Sequence, residues 1–430
     1  MKFTLFGGAT GILEHAGRRM LFDPWLDDGI FHGAWYHFPP LAVGVEDLGR
    51  IDYVYISHIH EDHCSPGTLR HVSPDAEVIL MDRRPNMVER FLERHRLRFR
   101  AIHRVPPRTP VQLADDLVVD TLTADPAHAL NWLVDSALIV AWDGVVVYNA
   151  NDCPPYEDGI RYLRERYPRV DLALLPYAPG SSYPACFTNL ADEEKLAEGA
   201  RILETTLGRF VDTVRALDPV RAAPFADAYV IGGSRAHLNR FVPHPPGTAV
   251  VRERLVCEGL AEKGLFLNSG QSVDLATWEI TPDEPFHRYT EAERDHYVGR
   301  HLADRVYDHE RIALDPAVSL SRLLGHARAR LWGEQQRCGH FPAFAYYLDV
   351  PDRAERFRVR LDAPAVERVP WTAPLAPPYL RVVAPSTLLA LLLIGHVSWN
   401  IADAALFLDY ERVPNVYEPR LHAWLNFLKV

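Results

Sequence analysis

The run His58-Ile59-His60-Glu61-Asp62-His63 constrains this chain more than any other feature. It follows the β-branched and aromatic stretch Tyr53-Val54-Tyr55-Ile56-Ser57, so the imidazoles are expected on a loop at the end of a strand. A loop fixed by a rigid strand is where chemistry is usually placed. Two histidines one residue apart can turn toward one ion, while Asp62 and His63, past a bend, face a second position close by. Imidazole together with carboxylate suits Zn, Fe or Mn, and no nearby Cys pair suggests a closed structural zinc site. A surface loop that merely happens to be His-rich is the competing reading, and three histidines with an aspartate within six residues outweigh it. Glu61 is expected to face solvent as a spacer.

Further ligands are expected after later strands. His128 follows the expected strand 117–122, and Asp152 follows 145–149, where a carboxylate can bridge two cations and offset their repulsion. His237, after an expected strand at 229–231 and a Gly-Gly turn, is the candidate last ligand. Its rival His244 lies among Pro243, Pro245 and Pro246. Taken singly, each has a bland reading: a loop histidine, a turn former, a helix-start residue.

The chain around these residues reads as α/β. Strands are expected at 2–6, 19–22, 53–57, 77–81, 117–122, 136–141, 145–149, 171–176 and 229–231, with helices at 85–96, 158–166 and 192–217. Two sheets packed together with helices outside, an αββα sandwich, account for that order, giving a catalytic core over 1–249. At 430 residues the chain exceeds what one core needs. Residues 250–430, with a Pro-rich passage at 364–385 between stretches of helical pattern, are expected as a helix-rich extension covering the metal and substrate face. Trp399 and Asn400 are its expected contributors. Trp25, Trp35, Trp132 and Trp399 are candidates to line an apolar pocket, although a tryptophan is more often core.

Composition narrows the partners. A net charge of -11 advertises no basic surface for nucleic acid or anionic lipid, and a highly anionic substrate would need a local Arg cluster. Cys64, Cys153, Cys186, Cys257 and Cys338 are odd in number and widely spaced, which fits reduced thiols in a cytoplasm. The N-terminus shows no signal-peptide pattern, and the apolar stretch 388–394 is far short of the ~20 residues of a bilayer helix. A cytoplasmic enzyme acting on a small molecule, with no nucleic-acid or membrane partner, is the expectation.

These residues resemble the metallo-β-lactamase superfamily, whose HxHxDH motif, later His, bridging Asp and final His they match. The resemblance implies that His58, His60 and His128 hold one metal and Asp62, His63 and His237 a second, with Asp152 bridging and Asp62 and Asp152 as catalytic carboxylates. Asp23-Pro24-Trp25-Leu26, the segment Trp35-Tyr36-His37-Phe38-Pro39-Pro40, Ser398-Trp399-Asn400-Ile401-Ala402-Asp403, Glu411-Arg412-Val413-Pro414 and Tyr417-Glu418-Pro419 are similar to the branch of CMP-N-acetylneuraminate hydroxylase-like proteins and chloramphenicol-type diiron hydroxylases. In length and character the chain also resembles diiron monooxygenases acting on diterpenoid acyl thioesters. There are departures. Gly7-Gly8-Ala9-Thr10 replaces a GHAS-like segment and so lacks its supporting histidine, and the chloramphenicol-type enzyme carries a Glu where this chain has His128.

Neither Rieske Cys-His pairs nor a Gly-rich dinucleotide fingerprint occurs, so the branch resemblance implies an external electron donor or reductase. It implies a non-heme diiron monooxygenase with two Fe ions, hydroxylating an unactivated C–H of a bulky apolar, terpenoid-like or acyl-thioester substrate, CoA- or carrier-linked, in secondary metabolism. The same ligands would serve a dinuclear hydrolase, in which two Zn ions activate water against an ester, amide or thioester. A metal-stabilised scaffold is the third reading, disfavoured because structural metal sites are usually closed.

Overall fold

The computed structural model describes residues 1–125, 135–226 and 229–430. His128 and Trp132 lie outside the described residues. One sheet runs in the order Ile280–Thr281, Ser272–Asp274, Lys2–Gly7, Thr10–His15, Arg18–Phe22, Tyr53–Tyr55, Glu77–Met81, Ala101–Val105. The second runs Arg221–Pro224, Leu172–Leu175, Val145–Asn149, Ala137–Trp142, Leu117–Leu122, Val111–Ala114. Alternate residues divide between faces, as the two-residue period of a strand requires. Met20 and Phe22 meet Leu138, Val140 and Leu172 between the sheets, whereas Leu21 and Val54 face outward with Val88 and Leu92 of helix Met87–Arg94. Helices Glu157–Arg166 and Asp192–Leu217 cover the other outer face through Leu163, Leu207, Phe210 and Val214. The core is therefore the expected αββα sandwich.

Strand direction places the site. Arg18–Phe22, Tyr53–Tyr55, Glu77–Met81 and Ala101–Val105 are parallel neighbours, as are Val145–Asn149, Leu172–Leu175 and Arg221–Pro224 in the other sheet. Loops leaving the carboxyl ends of parallel strands gather at one edge, where open α/β sheets bind ligands. The loops carrying His58 and Asp152 meet there.

Three features depart from the sequence expectation. Tyr229–Ile231 is a strand, but it pairs with Trp35–His37 in a separate ribbon. The sandwich strand is Arg221–Pro224, whose Ala-rich, Pro-ended sequence has weak β-propensity. Beyond the expected boundary after residue 249, Ser272–Asp274 pairs with Lys2–Gly7 and covers what would otherwise be a free edge. The extension holds helices such as Leu320–Cys338 and Ser386–Leu393 but also a five-stranded sheet, in the order Val366–Val369, Glu355–Arg360, Ala345–Val350, Tyr379–Val383, Asp409–Val413. Two of its strands lie inside the Pro-rich passage, with Pro370, Pro377, Pro378 and Pro385 outside them. Ala345–Val350 is buried at every residue, so it shows no alternation to read.

Among the described residues no helix is long and apolar enough to cross a membrane. The extension shares a continuous apolar cluster with the core, from Trp25, Phe31 and Trp35 to Leu388, Trp399 and Leu406. Trp35 stacks on Tyr229 with ring centres 3.4 Å apart, and its indole N–H donates to Ala404 O at 3.0 Å. A chain ending after residue 249 would bare both this cluster and the edge of Lys2–Gly7. It should aggregate in size-exclusion chromatography, and a monodisperse, fully active truncated chain would contradict this packing account.

Candidate metal centre

The site begins at Asp23, just beyond strand Arg18–Phe22. Its backbone has φ 38°, a left-handed conformation that a non-glycine residue holds only when its surroundings fix it. Here its N–H donates to Tyr55 O at 3.0 Å, and its carboxylate accepts from Ser57 N–H at 2.7 Å and lies 3.1 Å from His63 Nδ1. The carboxylate that opens the DPWL segment thus ties the preceding strand to the histidine loop.

Each of the three loop imidazoles has one nitrogen anchored and the other turned to a common space. His58 Nδ1 is 2.9 Å from Ser57 Oγ, His60 Nε2 is 2.7 Å from Asn400 Oδ1, and His63 Nδ1 faces Asp23. Asn400 Oδ1 can only accept, so His60 carries its proton on Nε2 and offers the Nδ1 lone pair. That Nδ1 lies 2.9 Å from His58 Nε2, where two lone pairs repel unless a proton or cation lies between them. His63 Nε2 is 3.3 Å from both Asp62 Oδ2 and Asp152 Oδ2. It is buried without a hydrogen bond, as is Asp62 Oδ1. Ligand atoms of His58, His63 and Asp152 all lie within 4.8 Å of one another. Asp152 is presented by a turn in which Asn151 has φ 41° and accepts Asp152 N–H at 2.7 Å. Asn151 in turn donates to Ser136 O, and Ser136 Oγ donates to Ser57 O, linking the loops of the two sheets.

Buried polar atoms without partners, three imidazoles that each turn one nitrogen to a common space, and clustered carboxylates fit a metal centre of nitrogen and oxygen donors. The titration behaviour agrees. Burial, followed by the His63 and His60 charges, pushes the His58 pKa well below the usual histidine value, so it offers a neutral ring. Burial also acts against protonation of His63, but the Asp152, Asp62 and Asp23 carboxylates outweigh it and hold that pKa well above the ordinary value. Burial disfavours charge on Asp62 and Asp152 too, yet His63 keeps both below the usual carboxylate range.

The structure brings together His58, His60, Asp62, His63 and Asp152. It does not bring His237 to them. That residue is exposed on the short helical segment Gly233–Phe241, with Nδ1 3.1 Å from Ser234 O. Because Tyr229–Ile231 leaves the sandwich, the following segment turns to the extension, where Arg235 pairs with Asp409 at 2.5 Å. The rival His244 is buried with an unpartnered Nε2 beside Tyr229, and burial with Arg294 nearby pushes its pKa down to about 4.

Two roles were not legible in the motif itself. His37, within the aromatic-Pro segment, is buried with both ring nitrogens unpartnered and stacks on Trp25 with ring centres 3.7 Å apart. Burial pushes its pKa down to about 3 while the Asp62 charge opposes the shift, so a neutral imidazole donor stands in reach of the Asp62 field. Glu61 is not a solvent-facing spacer. It is half-buried and accepts Phe31 N–H at 2.6 Å, because the left-handed turn at Phe31 and His32 aims that N–H into the loop. Trp25, Trp35 and Trp399 are core residues whose indole N–H groups donate to backbone carbonyls.

Beside the cluster, a cavity of about 320 Å³ has His60 and Asp152 in its wall, with Pro154, Leu175, Pro179 and Phe210 among its apolar lining.

Residues 18–225 match the family described as Beta-lactamase superfamily domain. A relative, the cytidine monophosphate-N-acetylneuraminic acid hydroxylase of Danio rerio, is 34% identical over 183 residues, 41% of this chain and 29% of that protein. The chain spans less than half the length of the curated relatives it matches. Among solved structures, a "possible metal-dependent hydrolase" from Veillonella parvula is 12% identical with a TM-score of 0.47, covering 64% of this chain and 98% of that one. CmlA, a diiron β-hydroxylase from Streptomyces venezuelae, is 19% identical with a TM-score of 0.37, covering 52% and 44%.

Metal binding must displace the proton held by His63, so affinity should rise with pH up to the elevated His63 pKa, and calorimetry in buffers of different ionisation enthalpy should register proton release. Asp23→Asn should weaken metal binding about 10–100-fold, the usual effect of removing a carboxylate behind a histidine ligand. His237→Ala should leave it unchanged. Wild-type affinity in Asp23→Asn with loss in His237→Ala would contradict the assignment.

Proposed function

Because residues 18–225 match the β-lactamase superfamily domain, and similar proteins include hydroxylases, we propose that this chain is a non-heme diiron monooxygenase. On this reading it hydroxylates an unactivated C–H of a bulky apolar small molecule, as an acid or an acyl thioester, in secondary metabolism. The observation that carries the reading is the juxtaposition of a thiolate-free nitrogen and oxygen donor cluster with a cavity, partly lined by Pro154, Leu175, Pro179 and Phe210, that shares His60 and Asp152 with it. An iron pair would supply the two electrons and the affinity for O₂ that zinc lacks.

The protein's own residues have defined tasks. His58, His60, Asp62, His63 and Asp152 would hold the ions, with His128, which lies outside the described residues, as the further donor expected from the sequence. Asp23 keeps Nε2 of His63 turned inward by bonding to Nδ1, and Asn400 does the same for Nδ1 of His60. Pro154, Leu175, Pro179 and Phe210 position an apolar substrate and exclude water from the reacting face. Asp152, at the boundary of cluster and cavity, would present the metal centre to the substrate side. A separate reductase or a small-molecule reductant would deliver electrons. The five free cysteines support a reducing, cytoplasmic setting.

Protein purified from cells supplied with both metals should contain about two Fe per chain. With reductant and a bulky apolar acyl-CoA, turnover under ¹⁸O₂ should place label in a new hydroxyl group and leave the thioester intact. A zinc-only preparation that released the free acid without O₂ would reject this reading in favour of a hydrolase.

A further inference from the structure

The cavity beside the metal centre is walled on one side by helix Asp192–Leu217, through Thr206, Arg209, Phe210 and Thr213. These positions follow the i, i+3, i+4, i+7 spacing of a single helix face. Phe210 and Thr213 are buried on this face, Thr206 is half-buried, and Arg209 is exposed at the cavity. The two threonines do not act as donors into the cavity, because Thr206 Oγ1 donates to Ile202 O at 3.0 Å and Thr213 Oγ1 to Arg209 O at 2.8 Å. Pro154, Pro155, Pro176 and Pro179 line the opposite parts of the wall, and proline has no N–H to offer. The one arginine or lysine in the lining is Arg209.

Neighbouring arginines of this helix are engaged. Arg201 pairs with Glu198 at 2.9 Å and Arg215 with Glu258 at 2.6 Å. Among the described residues, the Arg209 side chain has neither an ion pair nor a hydrogen bond, although Asp212 is three residues along the same helix. Its guanidinium is a planar fork of donors matched to a carboxylate or phosphate oxygen pair.

We infer that Arg209 binds the anionic group of an otherwise apolar substrate, fixing its orientation so that the apolar body extends toward His60 and Asp152. This deepens the reading of the cluster as an active site and rests on it. One cation in a lining that otherwise offers the Asp135 and Asp152 carboxylates and apolar side chains selects a ligand with an anionic group set apart from an apolar body over a neutral hydrocarbon. The anion has two chemical sources, the substrate's own carboxylate or the phosphate of a carrier to which its acyl group is joined.

The test uses the full-length, Fe(II)-loaded protein under anaerobic conditions and three probes, decanoate, methyl decanoate and decanoyl-CoA, with binding followed by titration calorimetry. Wild-type protein should bind decanoate or decanoyl-CoA at least about tenfold more tightly than the methyl ester. Arg209→Gln should remove that preference without changing affinity for the ester, and Arg209→Lys should restore part of it. Loss for decanoate assigns Arg209 to the carboxylate, and loss confined to decanoyl-CoA assigns it to the carrier phosphate. Equal affinity of wild type and Arg209→Gln for both anions, or failure of the wild type to bind either, would overturn the inference. Because no turnover is involved, Arg209-dependent binding combined with absent ¹⁸O incorporation would sink the oxygenase reading and leave this one standing.

Discussion

His63 is fully buried and faces three carboxylates, and the rest of the structure follows from the need to hold that arrangement together. Asp23 stands 3.1 Å from its Nδ1, and Asp62 and Asp152 each stand 3.3 Å from its Nε2. One imidazolium cannot balance three carboxylates in a poorly solvated space, and an unpaired buried charge costs several kcal/mol. Backbone donors, a hydroxyl network and cations must supply the remainder. Ser57 N–H serves Asp23, while Ser136 joins the loops that carry His58 and Asp152. Two divalent cations would complete the balance, which is why the cluster reads as a metal centre and not as an overdesigned ion pair.

That constraint explains which parts of the molecule were legible in the sequence. His58 to His63 and Asp152 could be read because they directly follow β-branched strands, and strand ends fix where a loop residue points. The sandwich was legible for the same reason, since its strands alternate or run as short apolar stretches. Arg221–Pro224 and Ala345–Val350 escaped: one is Ala-rich and ends in proline, and the other is buried on both faces and shows no period. His237 looked like a ligand because it follows a strand, but that strand belongs to a ribbon with Trp35–His37 and delivers its loop elsewhere. Asp23 was visible only as part of a DPWL similarity. Its task of orienting His63 depends on a left-handed backbone and on contacts 34 and 40 residues away along the chain, which no local pattern encodes.

The extension is bound to the centre by chemistry as well as by packing. Asn400 reaches His60 across 340 residues of sequence, and it sits on a short helix anchored by Trp399, whose indole N–H donates to Leu428 O. The orientation of His60, a proposed ligand, therefore depends on the correct docking of residues nearly at the end of the chain. Loss of the extension would remove the Asn400 contact to His60 together with the apolar cluster shared by Trp25, Trp35 and Trp399. On the opposite side, the helix that carries Arg209 walls the cavity, so the proposed metal ligation, water exclusion and substrate orientation would draw on different elements that converge at one sheet edge.

The central claim is that this edge holds two metal ions among His58, His60, Asp62, His63 and Asp152. Anomalous diffraction at the iron edge, on crystals of protein purified aerobically from iron-supplied cells, tests it most directly. The account predicts two peaks about 3.5–4 Å apart, the usual separation in two-metal sites, with Asp152 between them and His63 still bonded to Asp23. A single ion, or ions bound away from these five residues, would contradict it.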